Sequence, residues 1–189
     1  MMEDAEKTSI FVEKMADFFR YNVKKGEEDA TLEEELEAVD NYIYILNVRF
    51  AGDIHFSKKV ECDVENVRVP SMILQPVVEN AVNHGIRNID WEGHIDLSVE
   101  KWNDHIEISV RDNGLGMTGE QIQRVLSKKV HSSSGVGDST GIGMNNVISR
   151  LELYYERDGL MEIYSEGEGM GTEVVINIPL ERSEKNVQN

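Results

Sequence analysis

Two short glycine-bearing runs, Asp112-Asn113-Gly114-Leu115-Gly116-Met117 and Gly141-Ile142-Gly143-Met144-Asn145-Asn146, follow a third segment, Glu79-Asn80-Ala81-Val82-Asn83-His84-Gly85. A carboxylate, a helical amide and two flexible backbone turns are the groups needed to hold a purine, a divalent metal and a triphosphate. One glycine motif carries little weight by itself. Three different elements in a fixed order carry much more.

Asn80 is a polar residue among Val77, Val78, Ala81 and Val82. Its side-chain oxygen is a hard, neutral ligand that suits Mg²⁺ held mainly by water and phosphates. Asn83 lies one turn on and His84 four residues on, so all three can face one cleft. Helix capping near Gly85 accounts equally for Asn83 and His84, but poorly for Asn80. Asp112 ends an alternating run, and a carboxylate there accepts a hydrogen bond of the kind adenine's exocyclic amine offers. Gly114 and Gly116 let the backbone approach a base without Cβ clashes. A plain Asp-Asn-Gly turn is the competing reading. Gly141-Ile142-Gly143 leads into a helix, where free N–H groups point at an anion. The Ser- and Gly-rich loop before it, with Lys128, Lys129 and His131, can fold over phosphates as a lid. The spacing fits neither a dinucleotide-binding glycine fingerprint nor a P-loop.

The elements that must position these residues follow from periodicity. Ile10, Phe11, Met15, Phe18, Phe19 and Val23 recur at helical spacing over residues 8–25. Thr31 with Glu34 is a capping box, opening a second helix through Phe50. Ile54, Phe56, Lys58 and Val60 alternate as a strand. Pro70 is expected in the first turn of a helical segment running to Gly85, whose regular part starts near Pro76. Strands are expected at 95–102 and 106–111 around an Asn103-Asp104 turn. Helices follow at 118–129 and 143–155, and a closing hairpin pairs 160–165 with 172–178. The expected fold is α+β: a two-layer α/β sandwich, a mixed sheet with helices on one face, preceded by an N-terminal helical segment. Residues 1–50 form that helical segment, 51–180 the sandwich and 181–189 a polar tail.

The net charge of −17 disfavours nucleic acid as a partner. Within this acidic chain, residues 118–140 are locally basic through Arg124, Lys128 and Lys129, a place where an anion could sit. Cys62 is the only cysteine, which rules out internal disulfides, fits a reducing cytoplasm and reads as a small buried hydrophobe. No apolar run approaches the roughly 20 residues of a bilayer span. Met1-Met2 reads as an added initiator on an excised piece, so any membrane anchor is expected only in a missing N-terminal part, with this portion cytoplasmic.

Together these motifs resemble the ATP-binding domain shared by sensor histidine kinases, gyrase, Hsp90 and MutL, the GHKL or Bergerat fold. Residues 79–85 resemble its N box, 112–116 its G1 box and 141–146 its G2 box. Gly169-Met170-Gly171-Thr172 resembles its last glycine-threonine element, whose Thr helps close the adenine pocket. The likeness narrows to the LytS/YesM-type sensor kinases through residues 31–36, Tyr42, Arg49-Phe50, residues 74–81 and residues 146–151, and it covers nearly the whole chain. It implies ATP with Mg²⁺ on Asn80, adenine on Asp112 and phosphates under a lid spanning 118–143. It sets the nucleotide against Asn80, Asn83, His84, Asp112, Gly114, Gly116, Met117, Lys128, Lys129, Gly141, Ile142, Gly143, Met144 and Thr172, with Glu79 and Asn80 as catalytic residues.

Two positions depart from the pattern. The ATPases of this fold place a base glutamate four residues before the metal asparagine, and here that residue is Pro76. Glu79 is about 100° around the helix from Asn80 and is no simple substitute. The family's phosphoacceptor histidine lies in an N-P-H-F-type motif, which this sequence lacks. The resemblance therefore implies a catalytic region that receives ATP, with the γ-phosphoryl passing to a histidine outside this sequence and then to an aspartate on a response-regulator receiver domain. A homodimer is implied for the full-length protein. A serine kinase of the anti-sigma type and a degenerate ATP-binding or dimerisation module are the alternatives.

Overall fold

The computed structural model describes residues 2–24, 29–50, 54–127 and 139–180. The order of elements is α1 (Met2–Lys24), β1 (Asp29–Thr31), α2 (Leu32–Arg49), β2 (Ile54–Val60), β3 (Arg68–Pro70), α3 (Leu74–Asn80), a π-helical turn (Ala81–Ile86), β4 (Gly93–Lys101), β5 (His105–Asp112), α4 (Gly119–Leu126), α5 (Ser139–Tyr155), β6 (Met161–Tyr164) and β7 (Thr172–Pro179).

Five strands form a mixed sheet in the order β2-β4-β5-β7-β6. The β2–β4 pair is parallel and the others antiparallel. One face is buried and the other is wet. On β4, Ile95, Leu97 and Val99 are buried while His94 and Asp96 are exposed. The register sets Ile95, Asp112 and Thr172 in one row across three strands, followed by Leu97, Val110 and Val174 in the next. Asp112 is thus the last member of an otherwise apolar column. Leu36 and Val39 of α2, Val77 and Val78 of α3, and Val147 and Leu151 of α5 join the same buried cluster as this face. The α+β sandwich with helices on one face is the architecture expected, and α2 shares its core.

Local chemistry explains most boundaries. The Thr31 capping box is present: its hydroxyl accepts from the Glu34 N–H at 3.2 Å, and the Glu34 carboxylate accepts from the Thr31 N–H at 2.9 Å. Thr118 and Gln121 make a second such box at α4, so that helix begins at Gly119. Pro70 corrects the sequence reading. It ends β3, opposite Asp29 in a small antiparallel ladder with β1, and does not open a helix. Met72 at φ +60° interrupts the chain, and α3 starts only at Leu74, two residues before Pro76. The last helix also starts earlier than expected, at Ser139, so Gly141-Ile142-Gly143 lies within its opening turns rather than ahead of it. Anchoring by Val147, Ile148, Leu151 and Tyr155 in the core propagates the helix back through two glycines, despite about 1 kcal/mol each in propensity. Cys62 is half-buried at the core's edge rather than enclosed.

Candidate functional site

Asp112 stands at the carboxyl end of β5 and is 5% exposed. Its carboxylate accepts from the Gly114 N–H at 2.9 Å. Burial pushes the carboxyl up to about 6, while the Gly114 and Thr172 backbone N–H groups pull it back down. Such a group remains an acceptor at neutral pH and carries a desolvation cost that a matching donor would relieve.

Glycines crowd around it from three distant stretches. A Cβ built on Gly85 would lie 2.7 Å from the Asp112 carboxyl carbon, and one on Gly114 would meet the Gly85 carbonyl oxygen at 2.0 Å. Gly171, at φ +73°, would meet the Asp112 carbonyl oxygen at 2.0 Å. Backbone hydrogen bonds stitch the same stretches together. The Leu115 N–H donates to Gly85 at 3.0 Å, the Gly171 N–H to Gly114 at 3.1 Å and the Gly169 N–H to Leu115 at 2.7 Å. The Ser165 hydroxyl donates to the Gly171 carbonyl at 2.6 Å and accepts from the Met117 N–H at 2.9 Å. On the other side, Asn113 accepts from the His94 N–H at 2.8 Å, donates to Glu92 at 2.9 Å and receives the Trp91 indole N–H on its carbonyl at 2.9 Å. Asp112 is therefore held between two clamped neighbours, and the glycines around it let the backbone of three stretches close tightly on its carboxylate and carbonyl.

Asn80 ends α3. Its side-chain oxygen is buried and has no hydrogen-bond partner. An orphaned buried acceptor costs about 1–3 kcal/mol unless something meets it. A hard cation does so, and among the described residues no three His, Cys, Asp or Glu side chains gather to hold an ion by themselves. Asn80 thus fits Mg²⁺ that brings phosphate and water as its remaining ligands.

The other sequence-derived candidates divide. Gly85, Gly114 and Thr172 come together around the Asp112 carboxylate, while Gly116 and Met117 pack against Ser165. Asn83 and His84 are exposed on the π-helical turn, with Asn83 accepting from Arg87 at 3.5 Å. Gly143 of α5 faces Pro76 of α3, its built Cβ falling 3.8 Å from the Pro76 Cβ. The second glycine run thereby meets the helix that carries Asn80. Met144 is 2% exposed and packs in the core. Glu79 accepts from the Gln75 amide at 2.7 Å, and its charge, together with burial, contributes to holding Tyr42 of α2 at about 12. Lys128 and Lys129 lie outside the described residues, as does the 128–138 part of the expected lid. Gly141 and Ile142 contribute backbone to the first turn of α5. Sequence reasoning missed Ser165, because a lone serine after a strand carries no periodic or motif signal.

Comparison with known proteins gives the chain's family and its fold relatives. Residues 68–182 match the histidine kinase-, DNA gyrase B- and HSP90-like ATPase family, and residues 1–54 match the histidine kinase family. The chain belongs to the histidine kinase-, DNA gyrase B- and HSP90-like ATPases. It is 28% identical over 183 residues to the sensor protein LytS of Staphylococcus saprophyticus, covering 96% of this chain and 30% of that protein. It is 30% identical over 174 residues to the sensor histidine kinase YpdA of Escherichia coli, covering 88% of this chain and 27% of that protein. The chain thus spans about a third or less of these curated relatives. The fold matches the histidine kinase domain of the Erythrobacter litoralis EL346 blue-light activated kinase at a TM-score of 0.54 and 18% identity, over 92% of this chain and 75% of that one. It also matches the mycobacterial sensor histidine kinase MprB at 0.56 and 18%, over 80% and 96%.

Proposed function

We propose that this chain is the ATP- and Mg²⁺-binding catalytic region of a sensor histidine kinase. The observation that carries the reading is the buried Asp112 carboxylate in its glycine cradle. It accepts the adenine exocyclic amine, and a guanine carbonyl at the same place would be repelled. Asn80 presents its amide oxygen to the metal, which when bound neutralises phosphate charge. Exposed Asn83 and His84 flank the phosphates, and the opening turn of α5 offers N–H groups to them. The chain's work is positioning and charge neutralisation, with little covalent chemistry asked of it. The bond between the γ-phosphorus and the bridging oxygen breaks, and a phosphorus–nitrogen bond forms at a histidine imidazole. The phosphoryl group then passes to a receiver-domain aspartate.

Pro76 and the Glu79–Gln75 pairing favour transfer over hydrolysis, because no carboxylate stands where a water-activating base would be. The acceptor histidine lies on another stretch of polypeptide, residues 1–50 lead to it, and the working protein is a homodimer. The location proposed is the cytoplasmic side of a membrane-anchored sensor. No helix among the described residues is long and apolar enough to cross a membrane.

Calorimetry of a non-hydrolysable ATP analogue, with and without Mg²⁺, tests the site on wild type and Asp112→Asn. Binding strengthened by Mg²⁺ and weakened by the substitution is expected. A folded chain with no nucleotide affinity overturns the reading. Labelled phosphate arriving on a supplied N-P-H-F fragment tests the transfer step, and the chain incubated alone should stay unlabelled.

A further inference from the structure

A helix begins with N–H groups that have no partner inside it. At α3 a single residue from another helix supplies the acceptors. Glu35 of α2 is 1% exposed and accepts from the backbone N–H groups of Ile73 and Leu74, each at 2.9 Å, and from that of Met72. Ile73, the residue before the helix, offers no side-chain cap. Met72 adopts φ +60°, unusual for a residue with a Cβ, just where its N–H meets the carboxylate.

A fourth donor comes from α1. The Tyr21 hydroxyl donates to the same Glu35 oxygen that takes the Met72 N–H. Burial raises the Glu35 carboxyl, and the hydrogen bonds from Leu74, Tyr21, Met72 and Ile73 oppose that rise. From the opposite side, Arg150 of α5 donates to the Ser71 carbonyl at 2.6 Å. Three helices converge on residues 71–74, and α3 runs from there to Asn80 in fewer than two turns. A second contact follows the same route: Phe18 of α1 stacks on Tyr42 of α2 at 5.9 Å, and Tyr42 lies in the field of Glu79, the neighbour of Asn80.

We propose that Glu35 is a positioning residue for Asn80, and that Tyr21 makes its hold on α3 depend on where α1 lies. Displacement of α1 withdraws a donor from the buried carboxylate, loosens the start of α3 and turns the Asn80 amide oxygen away from the metal. This rests on the nucleotide reading above. It adds a physical route by which the N-terminal helix sets the quality of the site.

The test is ATP-analogue binding to the full chain by calorimetry, with and without Mg²⁺, for wild type, Tyr21→Phe and Glu35→Gln. Tyr21→Phe removes one oxygen and is the variant certain to stay close to the native packing. Its gain in affinity from Mg²⁺ should fall by about threefold. For Glu35→Gln the gain should fall by about tenfold, the scale of a lost support behind a metal ligand. Metal-free affinity, set by Asp112, should stay within about twofold in both. An unchanged Mg²⁺ gain in Tyr21→Phe overturns the inference and leaves the nucleotide reading intact. So does a parallel fall of both affinities in step with melting temperature, which would mark general destabilisation. A wild type that binds no nucleotide overturns both.

Discussion

Gly85 and Asp112 touch across the site so closely that one methyl group on the glycine would fall 2.7 Å from both the carboxyl carbon and Oδ1. Gly85 sits in a π-helical turn and needs no positive φ, so steric space alone makes it a glycine. Gly85→Ala should push the carboxylate off its place and lower ATP-analogue affinity about tenfold or more, a loss of ~1.4 kcal/mol or greater. Destabilisation should be modest, about 1–3 kcal/mol for overpacking. Calorimetry and thermal melting measured together separate the two.

Asp112 sets a pH dependence with a definite sign. Its folded value of about 6 lies above the ordinary 3.8, so the folded state holds the proton more tightly. The stability this confers is complete below 3.8 and is lost as pH rises through about 6. The ligand-free protein should therefore lose up to about 3 kcal/mol on this account between pH 4 and pH 7.5. Asp112→Asn should flatten that slope and melt higher at pH 7.5 while binding ATP more weakly. Nucleotide affinity of the wild type should fall as pH drops below about 6, where the acceptor is protonated. Melting curves at several pH values, paired with titrations, check both directions.

Asn80 makes the opposite prediction. Its buried oxygen has no partner, so Asn80→Ala removes an unsatisfied acceptor and should leave stability within about 1 kcal/mol of wild type. The Mg²⁺-dependent part of nucleotide affinity should vanish. A large drop in melting temperature with the Mg²⁺ gain preserved would contradict the assignment.

Much of this could be seen in the sequence, and the parts that could not share a cause. The Thr31 capping box, the β4–β5 turn at Asn103-Asp104 and the closing hairpin are local patterns, read within ten residues. The motif residues 85, 112, 114 and 171 were visible as types, because close backbone approach admits only glycine and a strand-end carboxylate stands out in an apolar row. The β1–β3 ladder was not visible, since three-residue strands have no period and each exists only through its partner nearly 40 residues away. A start of α3 near Pro76 was legible, and it falls at Leu74, but what fixes that start was not. It is set by Glu35, which on α2 looks like one more acidic residue in a charged first turn. Pro70 misled because proline opens helices and also ends edge strands equally well.

Ser165 couples the two loops over the carboxylate, holding the Met117 N–H with one hand and the Gly171 carbonyl with the other. Ser165→Ala should strand both groups and cost about 1–3 kcal/mol. Hydrogen exchange should quicken at the Met117 amide before it does in the strands, and ATP affinity should fall a few-fold. Equal protection at Met117 in both proteins would show that another contact carries the loop.

The stitching of Gly85, Gly114 and Gly171 also bears on how the chain matures on the ribosome. Each bond that joins these stretches links segments that emerge far apart in time, and the last of them waits for Gly171. On the proposed site, a nascent chain would have nowhere to seat a nucleotide until almost all of the sheet had been made. Closing such long loops is slow, so this corner of the fold is completed only once Gly171 has joined it.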